Sequence, residues 1–119
     1  MNNIDFYKGF EGEPKIELKI IEDSNLALHI WDGYFCDIFS NPVFHEKGRT
    51  GFTKDYQEGV RTYDNEGTLI NIPEYLSDLR TYRGNRFEIA ETSKCLDLIC
   101  DFLEYAEKQN YTVLVSRQC

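Results

Sequence analysis

The chain has 119 residues and a mass of 14.0 kDa, which is the size of one domain. Apolar residues make up 41% and aromatic residues 14% of the sequence, a composition typical of a folded globule and not of a disordered segment. The net charge of −8 argues against binding to duplex nucleic acid or to an anionic membrane surface, and it favours a basic protein partner. No apolar run reaches the roughly 18 residues that a membrane-spanning helix needs.

The first residues of the chain carry neither the basic nor the apolar segment with which a secretory signal begins. We therefore expect a cytoplasmic protein. In that compartment the four cysteines are expected as reduced thiols: Cys36, Cys95, Cys100 and Cys119. Because their number is even, a secreted and disulfide-bonded chain stays open as the alternative.

Two segments near the N-terminus alternate between apolar and polar residues, as half-buried strands do. The segments Lys15–Ile21 and Leu26–Trp31 are separated by four polar residues, and this pattern predicts an antiparallel hairpin. A helix over Asn25–Ser40 is the alternative, because apolar residues there also recur near helical spacing. Gly33 counts against that helix, whereas a short helical turn after Asp32 fits both interpretations.

The middle of the chain is rich in turn-forming residues. Phe52–Tyr63 alternates in part, Asp64–Gly67 is a turn signal, and Thr68–Ile72 is a short candidate strand. These features predict a second hairpin across Asp64–Gly67.

The C-terminal third predicts two helices and a strand. Pro73 suits the first turn of a helix, and Gly84 is suited to its end. A second helix is expected to begin at a capping Thr92 or Ser93 and to end at Asn110. Its predicted apolar stripe comprises Cys95, Leu96, Ile99, Phe102, Leu103 and Ala106.

The last predicted element is a strand over Tyr111–Val115, a β-branched and aromatic run. Together the elements predict a single α+β domain over residues 1–119. In it, a mixed or antiparallel sheet, formed by the hairpins and the last strand, is packed by the C-terminal helices.

The sequence offers little support for catalysis or for a bound cofactor. Cys95 and Cys100 are separated by about 140° on a helix, so they cannot share one metal ion. His29 and His45 are the two histidines, and together they would be required for a metal-free RNA-cleaving site. No glycine-rich phosphate loop is present. We expect no catalytic residue, no metal and no cofactor.

The clearest candidate for a functional site is a surface that binds a partner. Acids and tyrosines alternate in turn-rich chain at Asp55, Tyr56, Glu58, Tyr63, Asp64 and Glu66. Tyrosine is favoured at protein interfaces, and carboxylates steer a basic partner towards its site. Ordinary solvated loops are the alternative explanation. A second candidate is the exposed face of the last helix, with Asp97, Asp101 and Glu104.

A series of short segments between Phe52 and Val115 carries a family resemblance. The segments are Asp55-Tyr56, Glu58-Gly59, Ile72-Pro73-Glu74-Tyr75-Leu76-Ser77-Asp78-Leu79, Phe87, Glu91-Thr92, Phe102-Leu103-Glu104-Tyr105-Ala106 and a final valine-rich strand. The series, which spans about half of the chain, resembles the small immunity proteins of bacterial contact-dependent growth inhibition and related polymorphic-toxin systems. The resemblance assigns no individual site residue.

The resemblance implies a cytosolic protein, without enzymatic activity, that binds the C-terminal domain of a cognate toxin. Such a toxin is often a basic nuclease, and the immunity protein blocks its active site or its substrate path. In agreement with the net charge, we expect no direct contact with nucleic acid or membrane. The alternatives are a generic acidic adaptor and, as a distant third, a small RNA-cleaving enzyme that uses His29 and His45.

Overall fold

A five-stranded mixed sheet and four helices form the described part of the chain. The computed structural model describes residues 4–23, 25–40, 50–57 and 66–118, with residues 4–6 as backbone only. The strands are β1 (Ile4–Phe6), β2 (Lys15–Ile20), β3 (Ala27–Trp31), β4 (Thr68–Leu69) and β5 (Val113–Gln118). The helices are α1 (Asp32–Phe39), α2 (Gly51–Gln57), α3 (Ile72–Arg80) and α4 (Thr92–Lys108). The strand order is β1-β3-β2-β5-β4, with β1 parallel to β3 and the other pairs antiparallel. The predicted α+β class is therefore confirmed.

The first predicted hairpin is confirmed. Strand β2 pairs with β3 so that Leu18 lies opposite Leu28, and it pairs with β5 so that Leu18 lies opposite Val115. All three side chains are buried on one face of the sheet. The helix considered over Asn25–Ser40 is wrong for its first half, which is strand β3. The helical turn expected after Asp32 is the full helix α1.

The hydrophobic core lies between one face of the sheet and the helices. Helices α1 and α4 contact each other and both contact β3. Because every second residue of a strand points to the same face, β2, β3 and β5 each contribute alternate side chains. The centre of the core comprises Ile16, Leu18, Ile20, Leu28, Ile30, Phe35, Ile38, Phe39, Leu96, Ile99, Phe102, Leu103, Val113 and Val115.

The first strand of the second predicted hairpin is wrong over residues 52–57. Gly51–Gln57 forms helix α2, and β4 pairs with β5; residues 58–63 of the predicted strand lie outside the described residues. Phe52 and Tyr56 stand four residues apart, which places them on one side of a helix, and both pack on the core. The helical spacing of Phe52 and Tyr56 therefore describes this segment better than the partial alternation, which predicted a strand. Of the predicted turn, residues 64 and 65 lie outside the described residues.

Helix α3 is confirmed, and its start has a defined cap. The Asn71 side chain accepts a hydrogen bond from the Glu74 N–H at 3.0 Å, and Pro73 lies in the first turn. The Asn71 side chain thus supplies a partner for one backbone N–H at the start of the helix, and Pro73 has no N–H that would need one.

Helix α4 is confirmed, but the predicted capping role of Thr92 or Ser93 is wrong. The N-cap position is Glu91, without a side-chain capping hydrogen bond. The Thr92 hydroxyl instead donates to the Asp37 carboxylate at 2.6 Å, and the same carboxylate accepts the Ile89 N–H at 2.9 Å. Thr92 therefore fastens α4 to α1.

Candidate partner-binding surface

Three of the six residues predicted to bind a partner are described by the structure, and they lie in two different places. Asp55 and Tyr56 lie on α2, and Glu66 is exposed shortly before β4. The predicted site residues Glu58, Tyr63 and Asp64 lie outside the described residues. The structure thus brings Asp55 and Tyr56 together on one helix and places Glu66 beside the sheet.

Asp55 and Tyr56 have contacts within the molecule. The Tyr75 hydroxyl of α3 donates a hydrogen bond to the Asp55 carboxylate. The ring of Tyr56 is half-buried, with its centroid 6.2 Å from that of Phe35 and 6.2 Å from that of Phe39. These two residues present only part of their surface to a partner, and their inner parts stabilise α2.

A buried polar network holds α2 on α3. The Asp78 carboxylate accepts the Thr53 backbone N–H at 2.9 Å and the Thr53 hydroxyl at 2.8 Å. The Tyr82 hydroxyl lies 2.6 Å from the Thr53 Oγ1 atom. Because all three residues are almost fully buried, each polar group depends on the others in place of water. The network fixes the helix that carries Asp55 and Tyr56.

The close contact between α2 and α3 requires glycine at position 51. Gly51 has φ +57°, and a Cβ atom there would lie 2.9 Å from the Cβ atom of Asp78. Its N–H also donates to the Glu74 carboxylate at 3.4 Å. Side chains of α3 therefore position Gly51, the first residue of α2, through the Glu74 hydrogen bond and the close approach of Asp78.

The second candidate surface, on α4, alternates in charge. Arg83 lies 3.6 Å from Asp97, and Arg80 lies 3.2 Å from Glu104. Asp101 is exposed between them and borders two open clefts of about 500 and 420 Å³. Since two arginines already balance two of the three predicted acids, this face attracts a basic partner less strongly than its acids alone indicate.

The described part of the chain includes three of the four residues considered for catalysis and metal binding. His29 lies on the sheet with its Nδ1 atom 3.5 Å from the Glu17 carboxylate, and His45 lies outside the described residues. Cys95 and Cys100 are buried, and burial raises the pKa of both thiols. Over residues 4–23, 25–40, 50–57 and 66–118, no group of three His, Cys, Asp or Glu side chains could hold a metal ion.

Sequence reasoning missed an apolar patch on the sheet. Of the large apolar residues whose side chains the structure describes, Ile21 and Leu69 are exposed, at 49% and 61%. Ile21 is the last residue of one predicted strand, and Leu69 lies within another. Alternation alone does not say which face of a sheet the helices cover. One feature of the sequence does indicate the exposure of Ile21. It directly follows Ile20 in the buried series Ile16, Leu18 and Ile20, so it points to the opposite face of the sheet.

Comparisons with family models, with curated proteins and with solved structures found no match to this chain. In the part of the chain that the structure describes, no helix is long and apolar enough to cross a membrane.

Proposed function

We propose that this protein is an immunity protein that neutralises the C-terminal domain of a toxin, a basic nuclease, by binding it one to one. The inhibitor covers the active site or the substrate path of the toxin and carries out no reaction itself. The acid- and tyrosine-containing segment from Asp55 to Glu66 is the proposed recognition region. The work of such a protein is done in the cytoplasm, where the toxin meets its nucleic-acid substrate.

The observation that carries the proposal is the net charge of −8 on a small folded domain. A nuclease must attract phosphate, so its active cleft is basic, and an acidic surface is complementary to it. Long-range attraction between opposite charges raises association rates by about 10-fold to 1,000-fold. Rapid capture is what protection from a lethal enzyme requires.

The positions of individual acids support a distinction between structural and recognition carboxylates. Asp78 is buried in the α2–α3 network, and Asp37 is bound to Thr92 and to backbone N–H groups. Asp32 lies 3.3 Å from the Arg117 guanidinium. These three acids are occupied by the fold. Glu22, Glu66 and Asp101 are exposed at the surface, where a partner can reach them, although Glu22 also accepts two hydrogen bonds from Thr112.

The direct test is co-purification with the C-terminal domain encoded by the gene immediately upstream. The two domains are co-expressed, and the complex is measured by size-exclusion chromatography with light scattering. We expect a one-to-one complex and loss of nuclease activity in the toxin domain upon binding. Stable separate species, with the nuclease fully active at saturating inhibitor, would contradict the proposal.

The alternative enzyme hypothesis is tested by replacing both histidines, His29→Ala with His45→Ala. The proposal predicts full protection of cells that express the toxin, because neither residue is assigned a role. Loss of protection by a folded double variant would favour the RNA-cleaving alternative. If the upstream domain does not bind but another basic protein does, the adaptor alternative is favoured.

A further inference from the structure

One face of the sheet is packed by helices and the opposite face carries mainly polar side chains. In β2, Ile16, Leu18 and Ile20 are buried under the helices, whereas Glu17 and Lys19 point to the opposite face. We call that opposite face the open face. Its strands are neighbours in the order β3-β2-β5-β4, so alternate residues on them form one continuous surface.

Three apolar residues lie together at one end of the open face. Leu69 of β4 is directly opposite Leu114 of β5, which is in turn opposite Lys19 of β2. The backbone N–H of Ile21 donates to the Thr112 carbonyl at 3.0 Å, so Ile21 continues the β2–β5 ladder by one more position. Residues that are opposite or diagonal across strands are within side-chain reach. Ile21, Leu69 and Leu114 therefore form a patch, which we call the apolar patch.

Three acidic residues are close in sequence to members of the apolar patch. Glu22 follows Ile21, Asp23 follows Glu22, and Glu66 is exposed three residues before Leu69. Lys19 is the cation that lies within the patch by register. Among the described residues next to or within the patch, Glu22, Asp23 and Glu66, which we call the rim, are acidic and Lys19 is basic, a balance that suits an interface with a basic partner.

Two contacts hold the patch and its rim in place before any partner binds. Both oxygens of the Glu22 carboxylate accept hydrogen bonds from Thr112, one from the N–H at 2.7 Å and one from the hydroxyl at 2.8 Å. Gly67, at φ +92°, brings its backbone against Leu114, since a Cβ atom there would lie 2.8 Å from the Leu114 Cγ atom. Less ordering is then needed on binding, which favours affinity.

We propose that the apolar patch, with Glu22, Asp23 and Glu66 at its rim, is the docking surface for the basic toxin domain. This inference rests on the proposed function and adds a second contact surface to the proposed recognition region Asp55–Glu66, with which it shares Glu66. An apolar side chain of the toxin inserts between Ile21 and Leu69, and its basic residues face the rim acids. A second copy of this chain is the less favourable occupant, because a symmetric dimer would bring the two negative rims together.

The test is a double variant, Ile21→Ser with Leu69→Ser, against the matched conservative variant Ile21→Val with Leu69→Met. Both residues are exposed, so neither variant removes core packing. Binding to the immobilised C-terminal domain encoded by the upstream gene is measured by surface plasmon resonance. We expect the Ser variant to bind about tenfold or more weakly, mainly through faster dissociation, and the conservative variant to bind like the wild type. Thermal unfolding of each variant checks the fold.

The possible failures are distinguishable. If the wild-type protein does not bind the toxin domain, the proposed function fails and this docking surface fails with it. If the wild type binds and the Ser variant binds equally well, the docking surface is wrong while the proposed function stands. If sedimentation shows a wild-type dimer that the Ser variant converts to a monomer, the occupant is a second copy and the proposal is overturned.

Discussion

The Asp78 carboxylate of α3 accepts two hydrogen bonds from Thr53 of α2, one from its backbone and one from its hydroxyl. Helix α2 has only seven residues, too few to be stable in water on its own. Its position therefore depends on tertiary contacts, and both residues of this pair are almost fully buried. The helix that carries Asp55 and Tyr56 is thus fixed by a residue in the next helix.

Removing the Thr53 hydroxyl is expected to destabilise the protein. Thr53→Val keeps the shape of the side chain but leaves the Asp78 carboxylate and the Tyr82 hydroxyl with one partner fewer in a buried site. We expect a loss of about 1–3 kcal/mol in the free energy of unfolding, measured with urea. Thr53→Ser, which keeps the hydroxyl, is the control and should stay closer to the wild type. Equal stability of the Val variant and the wild type would show that the network contributes nothing.

The stripe predicted for the last helix is buried as expected, and its largest member provides a second test. Phe102 has no exposed surface. Phe102→Ala should lower the free energy of unfolding by about 3–5 kcal/mol, because it leaves a cavity in the core. Ser93→Ala, on the exposed side of α4, is the control. A Phe102→Ala variant with an unchanged urea midpoint would contradict the burial of this face.

The cysteines should differ in reactivity. Burial raises the pKa of Cys95 and of Cys100, so neither thiol ionises readily near neutral pH. We expect iodoacetamide at pH 8 to leave these two unmodified in the native protein and to modify both after unfolding, as read by peptide mass spectrometry. Rapid native labelling of Cys95 would be inconsistent with its position in the core. A disulfide between any of Cys36, Cys95 and Cys100 would contradict their free state in the structure.

Glu22 should titrate at lower pH than in an unfolded chain. Hydrogen bonds from the Thr112 N–H and hydroxyl stabilise the carboxylate, and they lower the pKa of Glu22. A lowered pKa in the folded state gives stability that is present above the unfolded pKa and is lost as pH falls through the folded one. Carboxyl chemical shifts followed by NMR measure the pKa directly. Thr112→Val should raise the pKa of Glu22 only part of the way to its unfolded value, because the hydrogen bond from the backbone N–H remains. A wild-type pKa at or above that of Glu in an unfolded peptide would contradict this expectation.

The sequence predicted best where the hydrophobic pattern was long and regular. The β2–β3 hairpin and α4 follow from their apolar periodicities, because each buries one face on the core. Helix α2 was missed because its helical pattern spans only seven residues and is completed by Asp78, which lies 25 positions after Thr53. The contact between Asp55 and Tyr75 was unpredictable for the same reason.

For the candidate site, sequence reasoning identified residue types but not their surroundings. It selected Asp55 as an acid for steering, whereas the structure shows that its carboxylate is bonded to Tyr75. It did not select Ile21 or Leu69, since exposure of an apolar residue depends on which sheet face the helices cover. Glu66, selected from its place in a turn-rich segment, lies at the rim of the apolar patch.

The central claim, electrostatic capture of a basic toxin by the Asp55–Glu66 region, is tested by two variants matched in charge. The first is Glu58→Gln, Asp64→Asn and Glu66→Gln, and it omits Asp55 because that carboxylate also bonds Tyr75. The second, on α4, is Asp97→Asn, Asp101→Asn and Glu104→Gln. Each variant removes three negative charges, so the two differ in the location of the charge and not in its amount.

The decisive measurement is the association rate of each variant with the upstream-encoded toxin domain, as a function of salt concentration. We predict that the first variant associates roughly threefold to tenfold more slowly than the wild type at low salt, with a weaker salt dependence, and that the α4 variant changes less. An unchanged rate for the first variant together with a slower rate for the α4 variant would contradict the assignment of the recognition region. Unchanged rates for both at low salt would contradict electrostatic capture itself.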